Sequence, residues 1–171
     1  MNLEADLKAI RNLTRIALPE DEKYVYRLGV VLYAFASVSS FMTEVTCCLD
    51  PTLDRTRLQN GTGGTILKKF RISVDKARKS HPAIGPVGED VADLFEELNL
   101  ERSDIIHAYP VTNEAGTQIL HRRRESMNKY FEVTNAFLDK FISRLHEVST
   151  GLYEIRKLVK PDLQENGHHL N

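Results

Sequence analysis

The stretch ERSDIIHAYP at residues 101–110 concentrates side chains suited to acting on a phosphate ester. Arg102 can hold an anion by two parallel hydrogen bonds, and His107 can take or give a proton near neutral pH. Ser103 and Asp104 lie between them as hydrogen-bonding groups. On a helix turning about 100° per residue, Arg102 and His107 stand roughly 140° apart and do not share a face. Ser103 and Asp104 lie one turn before His107, so Asp104 is expected to orient or charge-stabilise the imidazole. The residues three and four before Arg102 are Asn99 and Leu98, which leaves the guanidinium without an acid one turn back. A plainer reading uses the same residues: a histidine in a last helical turn, among open carbonyls, beside a solvated arginine.

Other chemistry finds little support in the sequence. The loop NGTGGT at residues 60–65 follows no strand and has neither phosphate-binding glycine fingerprint, so it reads as a helix–helix connection. His81, His121 and His146 lack ligand-type partners at helical spacing, His168 and His169 fall near the C-terminus, and no metal or cofactor is expected. No G-x-S-x-G or cysteine–histidine signature offers a protein nucleophile. Two basic concentrations remain: HRRRE at 121–125, with Arg122, Arg123 and Arg124, and the helix at 65–80, with Lys68 and Lys69. Charge runs of this kind usually form solvated faces, and they gain interest only beside a phosphate-handling site.

The elements that must position these groups follow from apolar spacing. Tyr24, Leu28, Val31, Phe35, Val38, Met42, Val45 and Leu49 recur in alternating fours and threes, the pattern of one long amphipathic helix ending before Pro51. A second such series runs from Met127 and Phe131 through Thr134, Leu138, Phe141, Leu145, Val148, Leu152 and Ile155 to Val159, ending before Pro161. Between them, one shorter helix carries Leu67, Phe70, Val74 and Ala77, and another carries Val91, Leu94, Phe95, Leu98, Ile105 and Ile106 before Pro110. The segment YPVTNEAGTQIL at 109–120 reads as a turn-rich excursion or short hairpin, and strand signal is otherwise almost absent. An N-terminal helix over residues 2–16, with Leu3, Leu7, Ile10 and Leu13 facing inward, is expected to pack across the others.

The fold expected is therefore all-α, an up-and-down antiparallel bundle of four to five helices in a single domain over residues 1–171, with a disordered tail from about 162. The 171 residues, 42% hydrophobic and 27% charged, suit one globular core. A net charge of −1 gives no global pull towards nucleic acid or anionic lipid. Adjacent Cys47 and Cys48 fit buried thiols of a reducing compartment. The charged N-terminus and the short apolar run LGVVLYAFASV lead to the expectation of a soluble, cytoplasmic protein without a membrane partner. Apolar seams this long also suit a second copy of the chain, making a homodimer.

An arginine, a polar residue and a histidine near the end of the penultimate helix of a helical bundle resemble the HEPN superfamily motif. ERSDIIHAYPVTNEAGTQIL further resembles a bacterial HEPN-like group with a motif close to E-R-N-D-x-x-H-A-x-P. The coarse likeness spans residues 22–158, and its specific part covers about twenty residues. The resemblance implies a metal-independent endoribonuclease in which the RNA 2′-hydroxyl is the nucleophile, His107 a general acid or base and Arg102 the phosphate clamp. It also implies a cleft across a two-fold axis, RNA as substrate, and a toxin–antitoxin or phage-defence setting with an antitoxin or other protein partner. Its alternative is a non-catalytic RNA- or nucleotide-binding module. The sequence departs from the pattern at Ser103, where active members typically carry Asn, Asp or His; serine bonds similarly but reaches less far.

Overall fold

The computed structural model describes residues 3–13, 19–124 and 129–161. Among them, six helices and one small sheet follow the order α1 (Leu3–Leu13), α2 (Glu22–Leu49), α3 (Arg55–Gln59), α4 (Gly63–Ala77), α5 (Ile84–Ile106), β1 (Tyr109–Thr112), β2 (Gln118–Arg124), β3 (Lys129–Val133) and α6 (Asn135–Val159). The protein is mostly helical: α2, α4, α5 and α6 pack in a ring, each against two neighbours.

The long first series folds as expected. Asp21 caps α2 by accepting from the amides of Lys23 and Tyr24, and Tyr24, Val31, Phe35, Val38, Met42 and Val45 are buried. Helix α2 is also apolar around much of its circumference, so by length and composition it could cross a membrane, although part of it lines the core. Its hydroxyls turn back on the helix, Ser39 Oγ donating to the Phe35 carbonyl at 2.8 Å and Thr46 Oγ1 to that of Met42 at 2.6 Å. The core closes with Phe70, Val74, Phe95, Leu98, Leu138, Phe141, Val148 and Ile155 from the other helices.

Three expectations change. Strands are present: β1, β2 and β3 form an antiparallel sheet in that order, with Tyr109 opposite His121 and Arg123 opposite Tyr130. The hairpin turns through Asn113, whose Oδ1 accepts from the amides of Ala115 and Thr117, and Gly116 takes the positive φ of 75° that suits glycine. The second long helix begins only at Asn135, because Thr134 Oγ1 caps it by accepting from the Phe137 amide at 3.2 Å. Phe131 lies in β3, and Met127 lies outside the described residues. The α5 helix starts earlier than its apolar pattern suggests, at Ile84, since Pro86 in a first turn removes only an amide that would lack an intrahelical partner.

Smaller differences appear at the N-terminus and the cysteines. Ile10 and Leu13 of α1 are 53% and 84% exposed rather than inward-facing, and the side chains of Leu3 and Leu7 lie outside the described residues, as do residues 14–16 and the tail from 162. The thiols of Cys47 and Cys48 are free and half-buried rather than fully enclosed, and burial pushes the Cys47 thiol up from its ordinary value.

The end of α2 is tied to α4 by one carboxylate. Lys76 Nζ donates to Asp50 Oδ2 at 2.7 Å and Thr52 Oγ1 to Oδ1 at 2.6 Å, and these contacts hold the Asp50 carboxyl at about 2, below its ordinary 3.8. A carboxyl depressed in the folded state contributes stability above the unfolded value and loses it as pH falls towards the folded one. Urea unfolding should therefore show wild type losing stability relative to Asp50→Asn between about pH 4 and about pH 2, with no such relative loss from pH 5 to 7. Parallel curves down to pH 2 would show that the contact with Lys76 does not act on folding.

Candidate functional site

The opening motif occupies the last turns of α5, and the fold divides its residues among three surroundings. Arg102 and Ser103 line a cavity of about 810 Å³ between α2, α5 and the N-terminus of α4. Asn99, one turn before Arg102, lines it too, together with Ser40, Thr62 and Gly63. Phe35 forms part of the floor, and the Arg102 guanidinium stands 5.5 Å from its ring centroid. Arg102 has neither a hydrogen bond nor an ion pair among the described residues, whereas Arg27, Arg71, Arg122, Arg144 and Arg156 are all ion-paired.

The glycine-rich loop acquires a role in shaping this cavity. Thr62 caps α4 by accepting from the Thr65 amide, and the first helical residue, Gly63, meets the Asn99 side chain. A Cβ on Gly63 would lie 2.3 Å from Asn99 Oδ1, so any larger residue there must displace the amide beside Arg102. The cavity wall thus combines neutral donors and acceptors with one cation, a combination able to receive a phosphate or carboxylate together with a polar organic group.

Asp104 belongs to the opposite side of α5. It is 4% exposed, and Arg122 Nε of β2 stands 3.4 Å from its Oδ1. No hydrogen bond or ion pair joins it to His107 among the described residues, and Arg122 is one of its partners. Arg122 also donates through Nη1 to the His107 carbonyl at 3.1 Å, which makes it a strut between the sheet and the motif. His107 itself is the C-cap residue of α5, with φ −96° and ψ 5°, its amide donating to the Ser103 carbonyl at 3.1 Å. The imidazole is exposed and does not line the cavity that holds Arg102.

The remaining basic residues separate likewise. Arg123 stands over the Tyr130 ring at 5.3 Å, and the side chain of Arg124 lies outside the described residues, as does Glu125. Lys68 and Lys69 are exposed on α4, away from the cavity lining, while Arg71, Lys76 and Arg78 of the same helix are bound to acids on α5 and at Asp50. His81 and His146 are exposed, and His121 is half-buried between Tyr109 and Tyr130.

Sequence reasoning missed the polar wall of α2 and the Thr62–Gly63 edge. One signal was available: Asn99, Arg102, Ser103 and Ile106 follow helical spacing, so Asn99 shares the face of Arg102. No family model matches the chain, and neither a curated protein nor a solved structure matches it.

Proposed function

We propose that the protein is a metal-independent ribonuclease of the HEPN type, in which Arg102 holds the scissile phosphate and His107 transfers a proton. The observation that carries this reading is the unpaired Arg102 guanidinium at the cavity wall, in the same motif as the exposed His107 that ends α5. A guanidinium without a protein acid keeps its paired donors for an anion, and can strengthen its bonds as charge builds on the phosphate oxygens. The 2′-hydroxyl attacks phosphorus, the 5′-oxygen leaves, and one histidine takes or supplies the proton. Since His107 does not line the cavity of its own chain, a second copy of the protein supplies the complementary group.

A non-catalytic RNA- or nucleotide-binding module is the second reading, and the separation of His107 from the cavity favours it. Incubation with a diverse RNA pool in EDTA separates the two. The ribonuclease yields fragments ending in 2′,3′-cyclic phosphate and sediments as a dimer, and Arg102→Ala lowers both affinity and cleavage, because a phosphate clamp acts in the ground and transition states. RNA retained intact by a monomer would leave the binding module standing.

A further inference from the structure

Resting on the RNA reading of the motif, we infer that the cavity beside Arg102 seats one nucleoside of the bound strand, with its phosphodiester on Arg102 and its base on the side-chain amide of Asn99. Asn99 is thereby the base-selecting residue of the site. At about 810 Å³ the cavity falls within the roughly 300–1,000 Å³ of pockets that enclose small organic groups. Several polar groups in its wall are already engaged within the protein. On α2, Ser39 Oγ donates to the Phe35 carbonyl at 2.8 Å, Thr43 Oγ1 donates to the Ser39 carbonyl at 3.0 Å, and Ser40 Oγ accepts from Gln59 Nε2 at 3.3 Å. At the α4 edge, Thr62 Oγ1 accepts from the Thr65 amide at 3.3 Å. The side chains of Asn99, Arg102 and Ser103, by contrast, have no hydrogen bond or ion pair among the described residues. They stand at helical positions i, i+3 and i+4, so a single face of α5 presents these three open groups to the cavity.

The chemistry of that face selects its occupant. Arg102 is the charged residue of the lining among the described residues, one positive charge with no acid beside it. An internucleotide phosphodiester brings one negative charge to meet it, whereas a terminal triphosphate brings several. Asn99 is half-buried, and a Cβ on Gly63 would collide with its Oδ1, so the glycine leaves the amide its room at the wall. A primary amide sets a donor beside an acceptor, the arrangement that meets the hydrogen-bonding edge of an unstacked base. Such a contact discriminates, because a base with the wrong pattern leaves polar groups on both sides unsatisfied. Leu32 and Ile106, 38% and 50% exposed in the same lining, offer apolar surface to the faces of the base.

Fluorescence anisotropy on the full chain tests the seat with labelled 2′-O-methyl strands of about twelve nucleotides, which lack the nucleophile and cannot be cut. The strands are homopolymers of adenine, cytosine and uracil, and an abasic strand of equal length. Wild type should prefer one homopolymer over the weakest by about 5- to 150-fold, the selectivity of a bidentate base contact. Asn99→Ala should bring the three homopolymers within about threefold of one another, and should weaken the favoured strand far more than the abasic one. Gly63→Ala should also lose the preference, since its Cβ displaces the amide without removing it. Arg102→Ala should weaken every strand, the abasic one included, because a phosphate contact carries no sequence information. Asn99→Asp supplies the acid that Arg102 lacks one turn back, and should weaken the abasic strand as well. Thermal unfolding of Asn99→Ala that matches wild type would place the effect in the cavity. If Asn99→Ala keeps the wild-type order of preference, or wild type shows none, Asn99 does not read the base, and the phosphate clamp still stands on the loss of binding in Arg102→Ala. If wild type neither binds these strands nor cuts RNA, both readings are wrong.

Discussion

Replacing His107 by alanine is expected to lower RNA cleavage by about 10²- to 10⁴-fold, the size of a general acid–base contribution, with RNA affinity nearly unchanged. The substitution is informative because the fold uses the backbone of this residue and not its ring. Its amide donates to Ser103 and its carbonyl accepts from Arg122, and an alanine keeps both bonds. The exposed imidazole has no hydrogen bond or ion pair among the described residues, so stability should stay within about 0.5 kcal/mol of wild type. Arg102→Ala should differ in kind, lowering affinity as well as rate. A His107→Ala protein that cuts within about threefold of wild type would remove the histidine from the chemistry, since a proton-transfer group contributes far more. Ser103→Asn adds a finer comparison: Ser103 shares the cavity with Arg102, so a longer amide there should raise cleavage if reach is what serine lacks.

The helices were legible in the sequence for a physical reason. A face repeating every three to four residues on α2 or α6 can be buried only as a helix, and Val31, Phe35, Leu138, Phe141 and Leu145 are buried accordingly. The sheet was less legible because Phe131 and Thr134 continue the helical spacing of α6 by coincidence. The competing signals were the alternation of Tyr130 and Glu132 with Phe131 and Val133, and the capping role of Thr134. At the site, Arg102 and its lack of a helical acid could be read directly. The partner of Asp104 could not, because Arg122 lies eighteen residues away and reaches it only once β2 packs on α5. The cavity wall from α2 depends equally on tertiary packing, which spacing within one helix does not report.

Phe35 joins these two levels, and its replacement should have the largest effect on stability. Its ring stacks on Phe95 at 5.4 Å and meets Phe141 at 6.5 Å, while the Arg102 guanidinium stands over it at 5.5 Å. Phe35→Ala should cost about 3–5 kcal/mol in urea unfolding, from lost burial and from the cavity left between α2, α5 and α6. A loss below about 1 kcal/mol would mean that Phe35 does not help to hold these helices together. Phe35→Leu distinguishes core from site: it keeps much of the apolar volume, so it should cost less than alanine, yet it removes the π face beneath Arg102. A cation–ring contact contributes about 0.5–2 kcal/mol, so RNA affinity should fall by about 2- to 30-fold in the leucine variant even though it remains folded. Undiminished affinity would show that Asn99 and the α4 edge suffice to place Arg102, and that Phe35 belongs to the core alone.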